Sequence, residues 1–174
     1  MWVPSMLELM KGESLPTGLV FSAFMLSMTA GGMLFGLVFP VFPGGAAALC
    51  ALVFALAAGA MAVPVFKFEF WWVFAAFLML EGLLGMFNSC GATLRSIYFP
   101  EGLQSSIMSI FRLPLNLLVV LGTLLTNNAN SVDSLQMVFC VVVGMHTVAF
   151  ALQACVPFFG VPPSLERDNA KKKQ

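Results

Sequence analysis

The chain has 174 residues, 60% of them hydrophobic and 9% charged, with a mean hydropathy of +0.96 and a formal net charge of zero. A water-soluble domain of this length sets about a quarter of its residues aside as charges to cover its surface. Eight basic and eight acidic residues do not suffice for that, so an aqueous globular domain is excluded and a lipid-embedded one is expected.

Apolar runs of about 20 residues are long enough to cross a hydrocarbon layer roughly 30 Å thick, and five occur in order along the chain. Ahead of the first, Trp2-Val3-Pro4-Ser5-Met6-Leu7 is apolar but too short to cross, and it reads as the tail of a preceding helix. No basic segment and no small-residue cleavage site follow Met1, so a signal peptide is not expected. The first span is predicted over Gly18 to Phe39, opened by Pro16 and closed by Pro40 and Pro43. The second covers Gly45 to Phe66 and ends before Lys67 and Glu69. The third runs from Phe70 to Leu94 with Glu81 near its middle. The fourth runs from Ser106 to Leu125, ahead of the polar tract from Thr126 to Ser131, and the fifth from Leu135 to Phe158. Helices satisfy every backbone group within lipid, and no two-residue alternation points to a barrel. The expected fold class is therefore an all-α integral membrane protein. Residues 1–16 precede the bundle, 17–158 form it, and 159–174 make a polar, basic tail.

Basic residues set orientation. With five alternating spans, Arg95, Arg112, Arg167, Lys171, Lys172 and Lys173 fall on one side, and only Lys11 and Lys67 on the other. The C-terminus is accordingly expected in the cytoplasm and the N-terminus outside. Gly32 and Gly36 make a GxxxG, and Ala55 with Gly59 a second small pair. Both are read as sites where helix backbones approach closely.

The basic residues form no stripe, so nucleic-acid binding has no support. Cys50, Cys90, Cys140 and Cys155 are scattered through apolar stretches, without the spacing of a metal site or a disulfide framework. No phosphate-binding loop and no Ser/His/Asp set is present, so neither an enzyme nor a cofactor is expected.

Four polar side chains within the spans carry the functional expectations. Glu81 lies where a charge costs roughly 2.5–3.5 kcal/mol, so it faces a cavity or a partner. It serves either as a proton or ion relay or as a hydrogen-bonded structural group. Arg112 precedes Pro114 and Asn116. Because Pro114 cannot donate, the carbonyl of Ile110 loses its helical partner, and a local break there would expose polar groups beside a fixed cation. Arginine's planar fork suits tetrahedral oxyanions; the alternative is an interfacial arginine reaching to head groups. Glu81 and Arg112, on consecutive helices and one or two turns apart in depth, form a candidate pair. His146 is read as a packing histidine.

The stretch Glu81-Gly-Leu-Leu-Gly-Met-Phe, with Leu94-Arg95, Phe99-Pro100-Glu101, Ile107-Met108 and Phe111-Arg112-Leu113-Pro114-Leu115-Asn116, resembles the molybdate-anion transporter family of the major facilitator superfamily. Gly18-Leu-Val-Phe-Ser-Ala-Phe-Met is similar to that family's entrance to helix eight, and Trp2-Val3-Pro4 to the end of helix seven. The resemblance implies that the five spans are helices eight to twelve of a twelve-helix transporter moving molybdate into the cell by alternating access. An N-terminal lobe in the same or a partner chain is then expected. It assigns Arg112, with Asn116, to oxyanion contact, and Glu81 to pairing or coupling. Arg95, Pro100 and Glu101 become a gate or brace on the cytoplasmic loop, with Pro114 opening helix eleven. Relatives often carry a proline shortly after the glutamate, where this chain has Asn88-Ser89, and Pro40-Val-Phe-Pro-Gly-Gly lacks the charged loop motif common in the superfamily. A non-transporting membrane subunit that only packs against other helices is the competing expectation. A transporter of another anion or solute differs from the first reading in substrate alone.

Overall fold

The computed structural model describes residues 2–10, 14–99, 101–127 and 131–156. Six α-helices follow one another: α1 (Trp2–Met10), α2 (Thr17–Val38), α3 (Gly45–Phe66), α4 (Phe70–Tyr98), α5 (Gln104–Asn127) and α6 (Val132–Cys155). No strand occurs among the described residues. The five long helices have the length and apolar composition needed to cross a membrane. The expected all-helical bundle with five spans is thus the observed one. The basic tail expected over 159–174 and the residues Lys11 and Pro100 lie outside the described residues.

Local chemistry sets the helix ends. Pro16 precedes α2 with φ −74°, and its carbonyl accepts from the amides of Leu19 and Val20. After α2 the chain tightens into a 3-10 turn at Phe39–Val41, then reverses through Pro43 and Gly44. Gly44 sits at φ +94°, a left-handed backbone that only glycine adopts without strain. α4 and α5 are longer than the 70–94 and 106–125 predicted from hydropathy, because the polar residues near Arg95 and Ser105 continue the helices beyond the apolar stretch. α6 begins at Val132, three residues before Leu135, because Ser131 caps it: the Ser134 amide donates to Ser131 Oγ at 3.2 Å.

α3 has no polar side chain at all and is the most buried of the spans. It lies between α4 and α6, while α2 packs along the far side of α4. Two glutamine bonds fasten α3 antiparallel to α6 at both ends: Gln136 Nε2 donates to the Val65 carbonyl (3.1 Å) and Gln153 Nε2 to the Ala47 carbonyl (3.4 Å). Val65 is among the last carbonyls of α3, which have no acceptor role left within the helix. A side chain from the neighbouring span replaces the missing partner.

The bundle core is aromatic and concentrated at the end where α4 begins. Phe24, Phe77 and Phe139 are buried among Met6, Met61 and Val73. Trp2 of the short α1 meets Phe24 of α2 edge-on at 5.4 Å, and α1 also packs against α4 and α6. Lys67 stands 4.7 Å over the ring of Trp72, and Trp71 is exposed beside it. Such an aromatic and basic girdle is typical of the level where lipid tails give way to head groups.

Backbones approach closely where α2 crosses α4, and of the glycines expected from sequence this crossing uses Gly32 but not Gly36 or Gly59. A Cβ built on Gly31 would fall 2.6 Å from the Gly82 carbonyl carbon, and one on Gly85 would fall 2.8 Å from the Met28 carbonyl carbon. Gly36 and Gly59 face open space. Ser27 Oγ donates to the Leu78 carbonyl at 2.7 Å in the same crossing. The GxxxG reading was therefore right for Gly32, whose amide nitrogen lies 3.0 Å from a Cβ built on Gly85, and not for Gly36. Which glycine meets a neighbour depends on the rotation of α2 about its axis, which its nearly uniform apolar surface leaves unspecified.

Candidate functional site

Apart from Ser27, Gln136 and Gln153, which bond to neighbouring helices, polar side chains within the spans fall into two groups. Most bond to their own helix: Ser22 to the Gly18 carbonyl, Thr29 to Met25, Thr93 to Ser89, Ser109 to Ser105, Thr123 to Val119 and Thr147 to Val143, at 2.8 to 3.1 Å. Back-bonding to the carbonyl four residues earlier satisfies a hydroxyl donor without a neighbour. His146 does the same through Nδ1 to the Val142 carbonyl at 2.8 Å. Its ring lies at an apolar cleft of about 190 Å³ between α3, α4 and α6, lined by Val53, Phe54, Leu80 and Phe87. The local hydrogen bond fits the packing role expected for it.

The second group has no hydrogen bond or counter-charge among the described residues: Glu81 and Asn88 on α4, and Arg112 and Asn116 on α5. Glu81 is half-buried beside the α2–α4 crossing at Gly82, whereas Asn88 is exposed. Seven residues further on, Arg95 is half-buried near the end of α4. Glu81, Asn88 and Arg95 recur at seven-residue intervals, so they share one face of the helix within an arc of about 40°.

α5 differs from every other span. No residue from Gln104 to Leu124 is buried, and it touches only α6 and the turn before it among its larger contacts. Five of its polar residues nevertheless share one side, with Gln104 and Ser106 of the first turn lying off it. Ser105, Ser109, Arg112, Asn116 and Thr123 fall within an arc of about 60° at 3.6 residues per turn. Arg112 is the one charged residue of the helix. A stripe of this kind, on a helix otherwise apolar all round, marks the side that does not face lipid.

Several expectations change on this geometry. α5 runs unbroken through Pro114, so the local break expected there is absent. One missing bond to Ile110 is tolerated because the flanking backbone bonds have no better partner in lipid. Glu81 and Arg112 form no ion pair. Glu81 lies 17 residues before the end of α4 and Arg112 8 residues after the start of α5, and the two helices are not a closely packed pair. Glu101 opens the short turn Glu101–Leu103, which Gln104 Nε2 ties back to the Phe99 carbonyl at 3.4 Å. Pro100, assigned with it and Arg95 to a loop brace, lies outside the described residues.

Sequence reading singled out Arg112, Asn116, Glu81 and Arg95 one at a time and missed the periodicity that joins them. Asn88, Ser109 and Thr123 belong to the same two stripes, and counting residues in steps of three, four and seven would have found them.

Set against known protein families, characterised proteins and solved structures, the chain matches none.

Proposed function

We propose that this chain forms part of a membrane transporter for a tetrahedral oxyanion, with α4 and α5 contributing one wall of the pathway. The observation that carries the reading is the polar stripe of α5, centred on Arg112, on a helix that the rest of the bundle leaves uncovered. A permanent cation at that depth is costly in lipid unless it meets water, an anion or another protein surface. Its guanidinium offers parallel donors that match an oxyanion edge, and Asn116 adds a neutral donor one turn deeper. Molybdate is the substrate taken from the resemblance of the Arg112 and Glu81 segments to the molybdate-anion transporters. The opposite wall of the pathway comes from further helices, in the same polypeptide or in a partner.

In this scheme Arg95 lies nearest the end of the pathway and draws anions in, Arg112 holds the oxyanion, and Glu81 lies deeper. An ionised Glu81 repels a dianion, and its protonation removes that barrier. Proton binding and anion passage are thereby linked, which makes Glu81 the coupling group rather than the partner of Arg112.

The test is uptake of radiolabelled molybdate by vesicles containing the chain in its native assembly. Arg112→Ala should lower uptake at least ten-fold, from the roughly 1.5–3 kcal/mol of a charge-assisted hydrogen bond, without loss of membrane insertion. Arg112→Lys should fall between, since it keeps the charge and loses the fork. Uptake unchanged in Arg112→Ala would remove the residue from the site. A wild-type assembly that moves no oxyanion would replace transport by the subunit reading, in which the bare α5 is a docking helix.

A further inference from the structure

We infer that the cleft between α3, α4 and α6 is a binding site for a small membrane-dissolved phenol, whose hydroxyl donates to Nε2 of His146. The inference is independent of the transport reading above.

The cleft follows from how the three helices pack. α3 lies along both α4 and α6, whereas α4 and α6 are not a closely packed pair. They meet near the start of each, where the rings of Phe77 and Phe139 are 5.8 Å apart. Further along they part, and about 190 Å³ stays open between them and α3. Leu80, one turn after Phe77, and His146, two turns after Phe139, both line it. Val53, Ala57 and Leu83 give it a buried wall. Phe54 and Phe87 add two rings with centroids 5.2 Å apart, tilted by 55°. Leu84 is exposed on the α4 side, which leaves the cleft open to a molecule dissolved in the bilayer.

His146 supplies the one polar side chain of that lining. Its Nδ1 lies 2.8 Å from the Val142 carbonyl. A carbonyl oxygen only accepts, so Nδ1 carries the hydrogen. A charged imidazole is costly at this place in a span, and the neutral ring leaves Nε2 as a bare acceptor. Nε2 meets no donor among the described residues. The other lining side chains have no N–H or O–H to give, and lipid tails have none either.

These features define the ligand. An apolar cavity of about 150 Å³ holds one benzene ring, so the cleft takes one ring with a short substituent. The tilted rings of Phe54 and Phe87 favour an aromatic neighbour over an alkyl chain. One acceptor calls for one donor. An acyl chain that entered would leave Nε2 unpaired, and a carboxylate would bring a charge and no hydrogen. A phenol brings a single O–H and is otherwise apolar.

The experiment uses the assembled protein in lipid nanodiscs, with 4-ethylphenol as probe. Its match is 4-ethyltoluene, which has a methyl group in place of the hydroxyl. Histidine is labelled with nitrogen-15, and the signals lost in His146→Phe are assigned to His146. In the free protein the hydrogen should sit on Nδ1. 4-Ethylphenol should shift the Nε2 resonance saturably, and 4-ethyltoluene should not. After correction for uptake by empty nanodiscs, 4-ethylphenol should bind about five-fold more tightly than 4-ethyltoluene, the worth of one net hydrogen bond. His146→Phe, which gives up only a bond within its own helix, should abolish that preference. Leu84→Trp, made on the exposed side, should weaken the binding of both. The inference is overturned by a hydrogen on Nε2 in the free protein, or by an Nε2 resonance that saturating 4-ethylphenol leaves unmoved. The same preference in His146→Phe, or binding that Leu84→Trp does not weaken, overturns it as well.

Discussion

Replacing Gly31 by alanine is the sharpest test of how the bundle is held together. A Cβ at this position lies 2.6 Å from the Gly82 carbonyl carbon, against a minimum near 3.4 Å for ordinary contact. Both groups are backbone, so neither rotates away, and since the Gly82 carbonyl oxygen is nearer still, α2 and α4 must separate by more than the 0.8 Å difference between those two distances. A gap of 0.5–1 Å forfeits a quarter to a half of the dispersion attraction between the facing atoms. The same movement takes the 2.7 Å bond from Ser27 to Leu78 to the edge of hydrogen-bonding distance. It also loosens the contacts of Phe24 with Phe74 at 5.7 Å and Phe77 at 6.2 Å. Overpacking of this kind costs about 1–3 kcal/mol, and an interhelical hydrogen bond in a membrane about 1 kcal/mol more. Gly31→Ala should therefore destabilise the bundle by about 2–4 kcal/mol. Gly36→Ala, which meets nothing within 4 Å, should be neutral or slightly stabilising through helix propensity. Reversible denaturation by sodium dodecyl sulfate in mixed micelles, followed by tryptophan fluorescence, measures both. Equal effects of the two substitutions would mean that α2 and α4 do not cross at Gly31.

The bonds between α3 and α6 make a graded prediction. Gln136→Ala should cost about 1 kcal/mol in the same assay, because it strands the Val65 carbonyl, and Gln153→Ala should cost less, since its bond is longer at 3.4 Å. A larger loss at Gln153 would contradict the geometry. For Glu81, substitution by glutamine should abolish the response of molybdate uptake to an imposed proton gradient while downhill exchange persists. Retention of the gradient response would exclude Glu81 as the coupling group.

Much of the molecule is legible in its amino acids, and the physical reason is the solvent. A bilayer requires a minimum apolar length and forbids unpaired backbone groups, so span number and helical class follow from hydropathy and proline positions alone. The bounds of α3, Gly45 to Phe66, coincide with the apolar run because a charge and a turn close it on either side. The ends of α4 and α5 do not, since an amphipathic turn continues a helix after hydropathy has fallen. The residue types able to carry chemistry, Glu81, Arg112 and Asn116, also stand out in sequence, because polar groups in lipid are expensive. Rotation about the helix axis does not. Leucine, alanine and phenylalanine serve a lipid face and a helix interface equally well, so no hydrophobic pattern tells Gly31 from Gly36. Only the packed bundle shows that Gly31, Gly82 and Gly85 make the crossing, that α3 takes the centre, and that α5 turns its whole stripe of polar residues to a surface the other five helices do not cover.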